Sequence, residues 1–275
     1  MQRPQGCAGS IVAGGLRAAH AVREIKDTMA STKATSKITK LDLAPLGSQP
    51  RACPEEVSGS WRYLKGAHES VSGLFDTLHV IRLKSAEETD PRGRLSHDQT
   101  DQLRAAIVFT SAGLDACLRR LLKDALPTLV NGNSAAEGKF KQFINEQLNE
   151  KASKAFRAAV IDPDPRTKLI DIYVEALTGS SLQGHRDLQK VRNALGIPES
   201  DISDSALEGL SPFFAARNEI AHELDLVDPT GRGSSSRRGR TMTAVRDQCD
   251  EVLQQVKAFV VNAAKQVKAA GKATP

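Results

Sequence analysis

The stretch Trp61-Arg-Tyr-Leu-Lys-Gly-Ala-His-Glu-Ser-Val-Ser-Gly-Leu-Phe-Asp-Thr-Leu78 decides the fold class of this 275-residue chain. Its large apolar residues recur at steps of three and four, the spacing of one face of an α-helix. His68 lies in the same stripe, where a core histidine is more common than a ligand. The pattern predicts a long first helix over about residues 56–85.

A second helix follows a break at Pro91 and Gly93. Ser96 or Asp98 is placed to cap its first turn. Its apolar residues again step by three, four or seven: Leu103, Ile107, Leu114, Leu118 and Leu121. We expect this helix to stop near Pro127 and the pair Asn131-Gly132.

The remainder of the chain is also predicted to be helical. Residues 136–203 contain several turn signals, which indicate short helices inserted into or capping the main bundle. The pair Ser211-Pro212 indicates a helix start, and a last amphipathic helix follows residue 240. The fold class is therefore all-α: a helical bundle of four to five principal helices with a helical insertion.

Both ends of the chain are predicted to lie outside the bundle. Residues 1–54 lack sustained periodicity and read as a disordered basic arm, the helical domain spans 55–269, and 270–275 form a disordered tail. Met29 opens a more ordinary start, so the first 28 residues could be an upstream extension. The alternative is an amphipathic targeting peptide, because the stretch contains arginine and few acids.

Composition limits the function classes. Aromatic residues make up 4% of the chain. The formal charge of +5 is unevenly distributed: residues 1–40 and 228–275 each carry +5 and the residues between them carry −5, so basic ends permit an RNA partner. The four cysteines form no CxxC pair, and no His or Cys cluster has zinc-ligand spacing. No apolar run approaches the roughly 20 residues of a membrane span. We therefore expect a cytoplasmic protein with no structural metal, no cofactor and no membrane partner.

The segment Ala216-Arg-Asn-Glu-Ile-Ala-His-Glu-Leu-Asp225 carries the functional signal. It resembles the signature of HEPN domains, in which a histidine follows an arginine after four to six residues and asparagine often stands next to the arginine. The segment Ser111-Ala-Gly-Leu-Asp-Ala-Cys-Leu-Arg-Arg120 upstream, and a basic loop with an amphipathic helix downstream, resemble the RiboL-PSP type of HEPN domain. The resemblance covers roughly residues 60–262 and implies metal-independent RNA cleavage.

These residue types suit that chemistry. Without a metal, cleavage of a phosphodiester needs a proton acceptor for the attacking 2′-hydroxyl and a cation beside the developing phosphorane charge. His222 is predicted to transfer the proton and Arg217 to bind phosphate oxygens. Asn218, four residues before His222, is predicted to orient the imidazole or contact the ribose. The alternative reading of Arg217 and His222 is a helix-end ion pair or capping cluster.

Five residues rotate a helix by about 140°, so Arg217 and His222 do not stack on one ideal helical face. HEPN nucleases act as dimers in which two motifs meet across a cleft, so the resemblance implies a homodimer with a composite site. It also implies a setting like that of prokaryotic toxins or antiphage defence, with a possible antitoxin or defence-system partner protein. Some HEPN toxins are modified on a tyrosine two residues beyond the histidine; Leu224 stands there in this chain.

Supporting residues are predicted on either side of the motif. Glu219 lies within it, and Asp115 comes from a helix that often approaches the motif in the family. The alternative for Asp115 is an exposed ion pair with Arg119 at the next turn. Residues 230–240 are rich in glycine, serine and arginine and are predicted to form a flexible basic loop. The loop contributes a set of candidate RNA-binding residues, for which a solvated loop is the equal alternative: Arg232, Arg237, Arg238 and Arg240.

Two functions from different classes remain open on the sequence. One is an endoribonuclease that leaves a 2′,3′-cyclic phosphate and a 5′-hydroxyl. The other is a non-catalytic HEPN module that dimerises and binds RNA, a nucleotide or a partner protein. Scarce aromatic residues weaken sequence-specific recognition of single strands in either case.

Overall fold

The structure is a computed structural model that describes residues 38–51, 54–88, 95–150, 152–231 and 236–273. Its helices are α1 (Pro54–Glu88), α2 (His97–Gly132), α3 (Ser134–Asn149), α4 (Lys154–Val160), α5 (Pro165–Thr178), α6 (His185–Ala194), α7 (Asp204–Gly209), α8 (Ser211–Glu223) and α9 (Met242–Ala273). Within these ranges the one extended pairing is an isolated antiparallel bridge between Leu226 and Arg237. The predicted all-α fold class is confirmed.

Helix α2 is the centre of the bundle. It packs along α1 and α9, and α8 lies against it as a shorter fourth element. Gly113 on α2 lets α1 come close, because a Cβ at that position would lie 2.2 Å from the Cβ of Ala67. The apolar stripes predicted on the first two helices are buried, including Leu78 on α1 and Leu121 on α2.

The start of α2 is fixed by a capping box. The Ser96 hydroxyl accepts a hydrogen bond from the Gln99 amide at 3.2 Å, and the Ser96 amide donates to the Gln99 side chain at 3.1 Å. At the other end α2 continues through Pro127 to Gly132. Asn133 then caps α3 by accepting hydrogen bonds from the amides of two first-turn residues.

Helices α3 to α6 occupy the region predicted as an insertion. Helices α3, α5 and α6 pack against α2, and their buried side chains join the hydrophobic core of the main helices. Phe140 on α3, Tyr173 on α5 and Leu188 on α6 belong to this core. The insertion is therefore part of the same packed unit.

Part of the predicted N-terminal arm is packed. In residues 38–51 the side chains of Ile38, Leu43 and Leu46 are buried. The Ala44 amide donates to Asp250 at 2.8 Å, and its carbonyl lies 3.0 Å from His68 Nε2 and accepts from Gln254. The prediction of disorder is wrong for these residues. Outside a helix, apolar side chains can be buried without recurring at helical spacing, so the sequence showed no periodic signal. Residues 1–37, including Met29 and the targeting-peptide alternative, lie outside the described residues.

The C-terminal boundary also differs from the prediction. Helix α9 continues to Ala273, so the disordered tail predicted from residue 270 is wrong for residues 270–273. Ala270 is buried against Gly132 at the end of α2, which holds the last turns of α9 to the bundle. Searched over the described residues, no helix has both the length and the apolarity to cross a membrane.

Candidate functional site

Helix α8 carries the Arg-Asn-x3-His motif on its outer side. Phe213, Phe214, Ala216 and Ile220 are buried and face the bundle, in contact with the core that α2 shares. The N-cap of α8 is Leu210, which makes no side-chain capping bond, and Ser211 is already helical. Serine capping is therefore not what starts this helix. Pro212 in the first turn is confirmed, and it suits a position whose amide has no helical partner.

The three motif residues predicted to be catalytic lie at the surface. Asn218 and His222 are exposed, and Arg217 is half-buried. Arg217 Nη1 donates a hydrogen bond to Asn218 Oδ1 at 2.9 Å. Asn218 therefore contacts Arg217 and not His222, contrary to the prediction that it orients the imidazole. His222 makes no hydrogen bond or ion pair with any described residue.

The helix ends in a left-handed turn just beyond His222. Leu224 has φ 51° and Asp225 has φ 60°, values that are uncommon for residues other than glycine. The Asp225 amide donates to the carbonyl of Glu219 at 2.9 Å, and this carbonyl also accepts from the Leu224 amide, so the two bonds close the end of α8. This turn directs Leu224 outward, where it is exposed, and Asp225 into the protein, where it is fully buried.

Asp225 is the centre of a buried ion-pair cluster that the sequence did not reveal. Its Oδ2 accepts from Arg104 Nε at 2.8 Å and from Arg240 Nε at 3.1 Å, and Oδ1 accepts from Arg240 Nη2 at 2.5 Å. Arg104 is itself 7% exposed. Burial opposes ionisation of the carboxyl, but the two arginines outweigh it and hold the pKa of Asp225 below its usual value.

The sequence contained one signal for this cluster. Arg104 stands three residues before Ile107 and so falls within the apolar stripe of α2. A charged residue in such a stripe requires a buried partner of opposite charge. Sequence alone did not identify that partner, because Asp225 lies more than a hundred residues away.

The basic loop is held by acids around the same turn. Arg240 pairs with Glu219 at 2.8 Å, and Arg238 pairs with Glu219 and Glu223, each at 3.4 Å. Arg237 pairs with Asp101 at 2.8 Å. The prediction of a flexible loop is therefore wrong for residues 236–240, because their charges have partners on α2 and α8. Arg232, the fourth predicted RNA-binding arginine, lies outside the described residues.

Glu219 and Asp115, the predicted supporting residues, serve other contacts. Glu219 points to Arg238 and Arg240, as just described. Asp115 Oδ2 accepts from Arg119 Nε at 2.6 Å, and Oδ1 accepts from the Leu182 amide at 2.8 Å. Arg119 also donates to the carbonyls of Thr178 and Ser180. The structure therefore gives Asp115 the ion-pair role with Arg119, which fixes the end of α5, and not a contact with the motif.

No group of three or more His, Cys, Asp or Glu side chains among the described residues could hold a metal ion. What the motif offers chemically is a guanidinium and an imidazole on a rigid helix, both open to a ligand. Comparison of the chain with protein-family models, with curated proteins and with solved structures found no match.

Proposed function

We propose that this chain is a metal-independent endoribonuclease whose reacting groups are Arg217 and His222. One observation carries the proposal: the His222 side chain is exposed and has no hydrogen-bond or ion-pair partner among the described residues, and the one side-chain hydrogen bond of Arg217 to a described residue is to its neighbour Asn218. The arginines of the nearby segment 236–240 are all paired with acids. The fold thus makes little use of the Arg217 and His222 side chains, and they remain open to a phosphodiester.

In the proposed reaction the ribose 2′-hydroxyl attacks the adjacent phosphorus and forms a new P–O bond. His222 takes the proton of that hydroxyl, and the bond from phosphorus to the 5′-oxygen breaks. The departing 5′-oxygen takes up a proton from water, which leaves a 2′,3′-cyclic phosphate and a 5′-hydroxyl. Arg217 donates hydrogen bonds to the phosphorane oxygens as negative charge builds on them.

A homodimer is part of the proposal. The angle of about 140° between Arg217 and His222 around α8 makes it hard for one copy to place both groups on the same phosphate. Two copies of α8 facing each other would supply an arginine from one protomer and a histidine from the other. Mixing an Arg217→Ala chain with a His222→Ala chain should then restore part of the activity, because one intact pair is rebuilt.

The test is cleavage of a structured RNA by the purified chain in excess EDTA, followed by identification of the product ends. Cleavage should persist and leave cyclic phosphate ends, and His222→Ala should reduce its rate by about 100-fold or more. The matched control is His79→Ala, a half-buried histidine on α1 whose side chain has no hydrogen-bond partner among the described residues. Cleavage that EDTA abolishes and magnesium restores would contradict the mechanism.

The non-catalytic module is the second outcome of the same assay. A chain that binds RNA, forms dimers and cleaves nothing would establish it. A setting in toxin or antiphage defence adds a cellular test: expression in a bacterial host should arrest growth, and His222→Ala should relieve the arrest. Neutralisation by tyrosine modification is not expected, since Leu224 occupies that position.

A further inference from the structure

Residues 38–51 lie as an extended segment in the groove between α1 and α9. Lys40 pairs with Asp76 on α1 at 2.8 Å, and the Ala44 carbonyl lies 3.0 Å from Nε2 of His68, which is nearer the start of α1. The segment therefore runs antiparallel to α1. None of its residues belongs to a helix or a strand, so contacts with the two helices hold it in place.

Three side chains of the groove contact the main chain of Ala44. Asp250 on α9 accepts a hydrogen bond from the Ala44 amide at 2.8 Å. The Ala44 carbonyl accepts from Gln254 Nε2 at 3.1 Å and lies within hydrogen-bond distance of His68. Asp250 and His68 make no other hydrogen bond with a described residue. Both polar main-chain groups of Ala44 are therefore satisfied by side chains that the helices place in the groove.

Two leucines flank Ala44 at a spacing that suits an extended chain. Leu43 and Leu46 are buried and belong to the hydrophobic core, whereas Pro45 between them is exposed. Proline fixes its own φ at about −65° and favours an extended conformation for the residue before it. A proline-type extended chain has about three residues per turn, so side chains at positions i and i+3 point to the same side. In this segment that side faces the bundle.

The segment is attached to the bundle by few polar contacts. Ala44 is the one residue of 38–51 whose main chain hydrogen-bonds with a described residue. The pair between Lys40 and Asp76 has side chains that are 46% and 54% exposed, and such exposed pairs stabilise little. Regions with few protected hydrogen bonds open locally at a smaller free energy than the whole molecule requires. The groove can therefore be vacated while the helices stay folded.

We propose that the groove between α1 and α9 is a docking site for an extended peptide segment of another protein, and that residues 38–51 fill it as a ligand in cis. Hydrogen bonds to a main chain do not depend on the side chain of the residue that makes them, so they give affinity, and the apolar side chains give specificity. The partner segment carries the pattern of Leu43-Ala-Pro-Leu46: an apolar residue, a small residue, proline and a second apolar residue.

The cis segment sets the affinity that a partner needs. A segment that belongs to the same chain acts at an effective concentration of the order of millimolar. A partner segment of the same sequence therefore binds the parent weakly, and a change that weakens the cis segment strengthens binding of the partner. None of these steps involves Arg217, His222 or RNA cleavage.

The experiment is fluorescence anisotropy with a labelled synthetic peptide of residues 38–51 as the probe. The full chain with Leu43→Asp should bind the peptide about tenfold or more tightly than the parent, because the substitution removes one anchor of the cis segment and leaves the groove unchanged. The matched control is Thr39→Asp, which adds the same charge at an exposed position of the segment and should bind as the parent does. A peptide with Leu46→Asp should bind neither chain.

Two further measurements separate docking from unspecific apolar adhesion. Asp250→Ala, placed in the Leu43→Asp chain, should raise the Kd for the peptide by about tenfold, the effect of one charge-assisted hydrogen bond. Hydrogen exchange of the Ala44 amide in the parent, followed by NMR, should be faster than exchange of the core amides of α2, because local opening exposes it. This second measurement needs no variant, so it tests the proposal even if Leu43→Asp prevents folding.

Three results would overturn the proposal: no binding of the peptide to a folded Leu43→Asp chain, equal affinity of that chain for the peptide and its Leu46→Asp form, or exchange of the Ala44 amide as slow as that of the slowest α2 amides. The last would make residues 38–51 a permanent part of the fold. These measurements need no cleavage, so a chain that binds the peptide and cleaves no RNA supports the groove while contradicting the proposed ribonuclease.

Discussion

Helix α8 and the segment that follows it, residues 225–240, differ in how they use charged side chains. On α8, Arg217 has only Asn218 as a partner, and His222 has none among the described residues. Beyond the left-handed turn, Arg240 donates two hydrogen bonds to Asp225 and a third to Glu219. Arg217, before the turn, thus donates to an exposed neighbour, whereas Arg240, after the turn, is part of the buried ion-pair cluster.

The difference shows that burial of a carboxylate, and not local basic composition, decides which arginines the fold requires. A buried Asp225 without cations would be strongly unfavourable, so Arg104 and Arg240 are tied to it. Two non-glycine residues in left-handed conformation add a cost of order 1–3 kcal/mol each, and the cluster around Asp225 offsets it. Arg217 and His222 make no ion pair with a carboxylate of the described residues.

The largest effect is expected for Asp225→Asn. Asparagine tolerates the left-handed conformation and keeps the shape of the side chain, so the variant removes charge alone. Buried Arg104 and partly buried Arg240 then lose their buried counter-ion and keep only Asp101 and Glu219 as partners. The free energy of unfolding should fall by about 3 kcal/mol, measured by urea denaturation. Asp171→Asn, on the exposed side of α5, should stay within about 0.5 kcal/mol of the parent. A loss below about 1 kcal/mol for Asp225→Asn would break the comparison.

Acid should weaken the same cluster. Because the pKa of Asp225 is lowered in the folded chain, its contribution is complete above the unfolded value of about 3.9 and is lost as pH falls through the folded value. The stability difference between the parent and Asp225→Asn should therefore be constant from pH 7 to about pH 5 and shrink below about pH 4. Urea denaturation at several pH values measures it. A difference that already shrinks between pH 7 and pH 5 would assign the effect to other groups.

Much of the fold could be predicted from the sequence because local patterns determine it. The apolar steps of α1 and α2 and the serine before α2 are local signals, and the structure confirms the helices that they predict. Residues 38–51 could not be predicted in this way. Their three buried apolar side chains follow no period, and their backbone partners Asp250 and Gln254 lie at the other end of the chain.

The candidate site also has one part that the local sequence predicts and one part that depends on residues distant in the sequence. The motif positions could be read directly from the order of residues, and the structure places them at the surface. The segment 236–240 was predicted as flexible from its glycine, serine and arginine content, yet its stability comes from acids that only folding brings close. Asp115 illustrates the same limit, since its pairing with Arg119 is local but its bond to the Leu182 amide is not.

A smaller effect is expected for Arg237→Ala. Arg237 lies in the same segment as Arg240, but its pair with Asp101 is exposed, with side-chain exposures of 35% and 49%. Exposed pairs contribute about 0.2–1 kcal/mol, so the free energy of unfolding should fall by no more than that. Arg240→Ala is the matched comparison, because it removes a partner of buried Asp225 and should cost about 3 kcal/mol. Equal losses for the two variants would show that burial does not separate them.

The smallest effect on stability is expected for Arg217→Ala and His222→Ala. Arg217 loses only a hydrogen bond to exposed Asn218, and His222 loses no contact with a described residue. Substitutions at such surface positions usually change stability by less than about 0.5 kcal/mol, and urea denaturation should show no larger change for either variant. A loss above about 2 kcal/mol would instead support the helix-end structural role for these residues. The same preparations should also be assayed for RNA cleavage. If Arg217 and His222 are catalytic and make no ion pair in the fold, each variant should lose activity and still unfold at the same urea concentration as the parent.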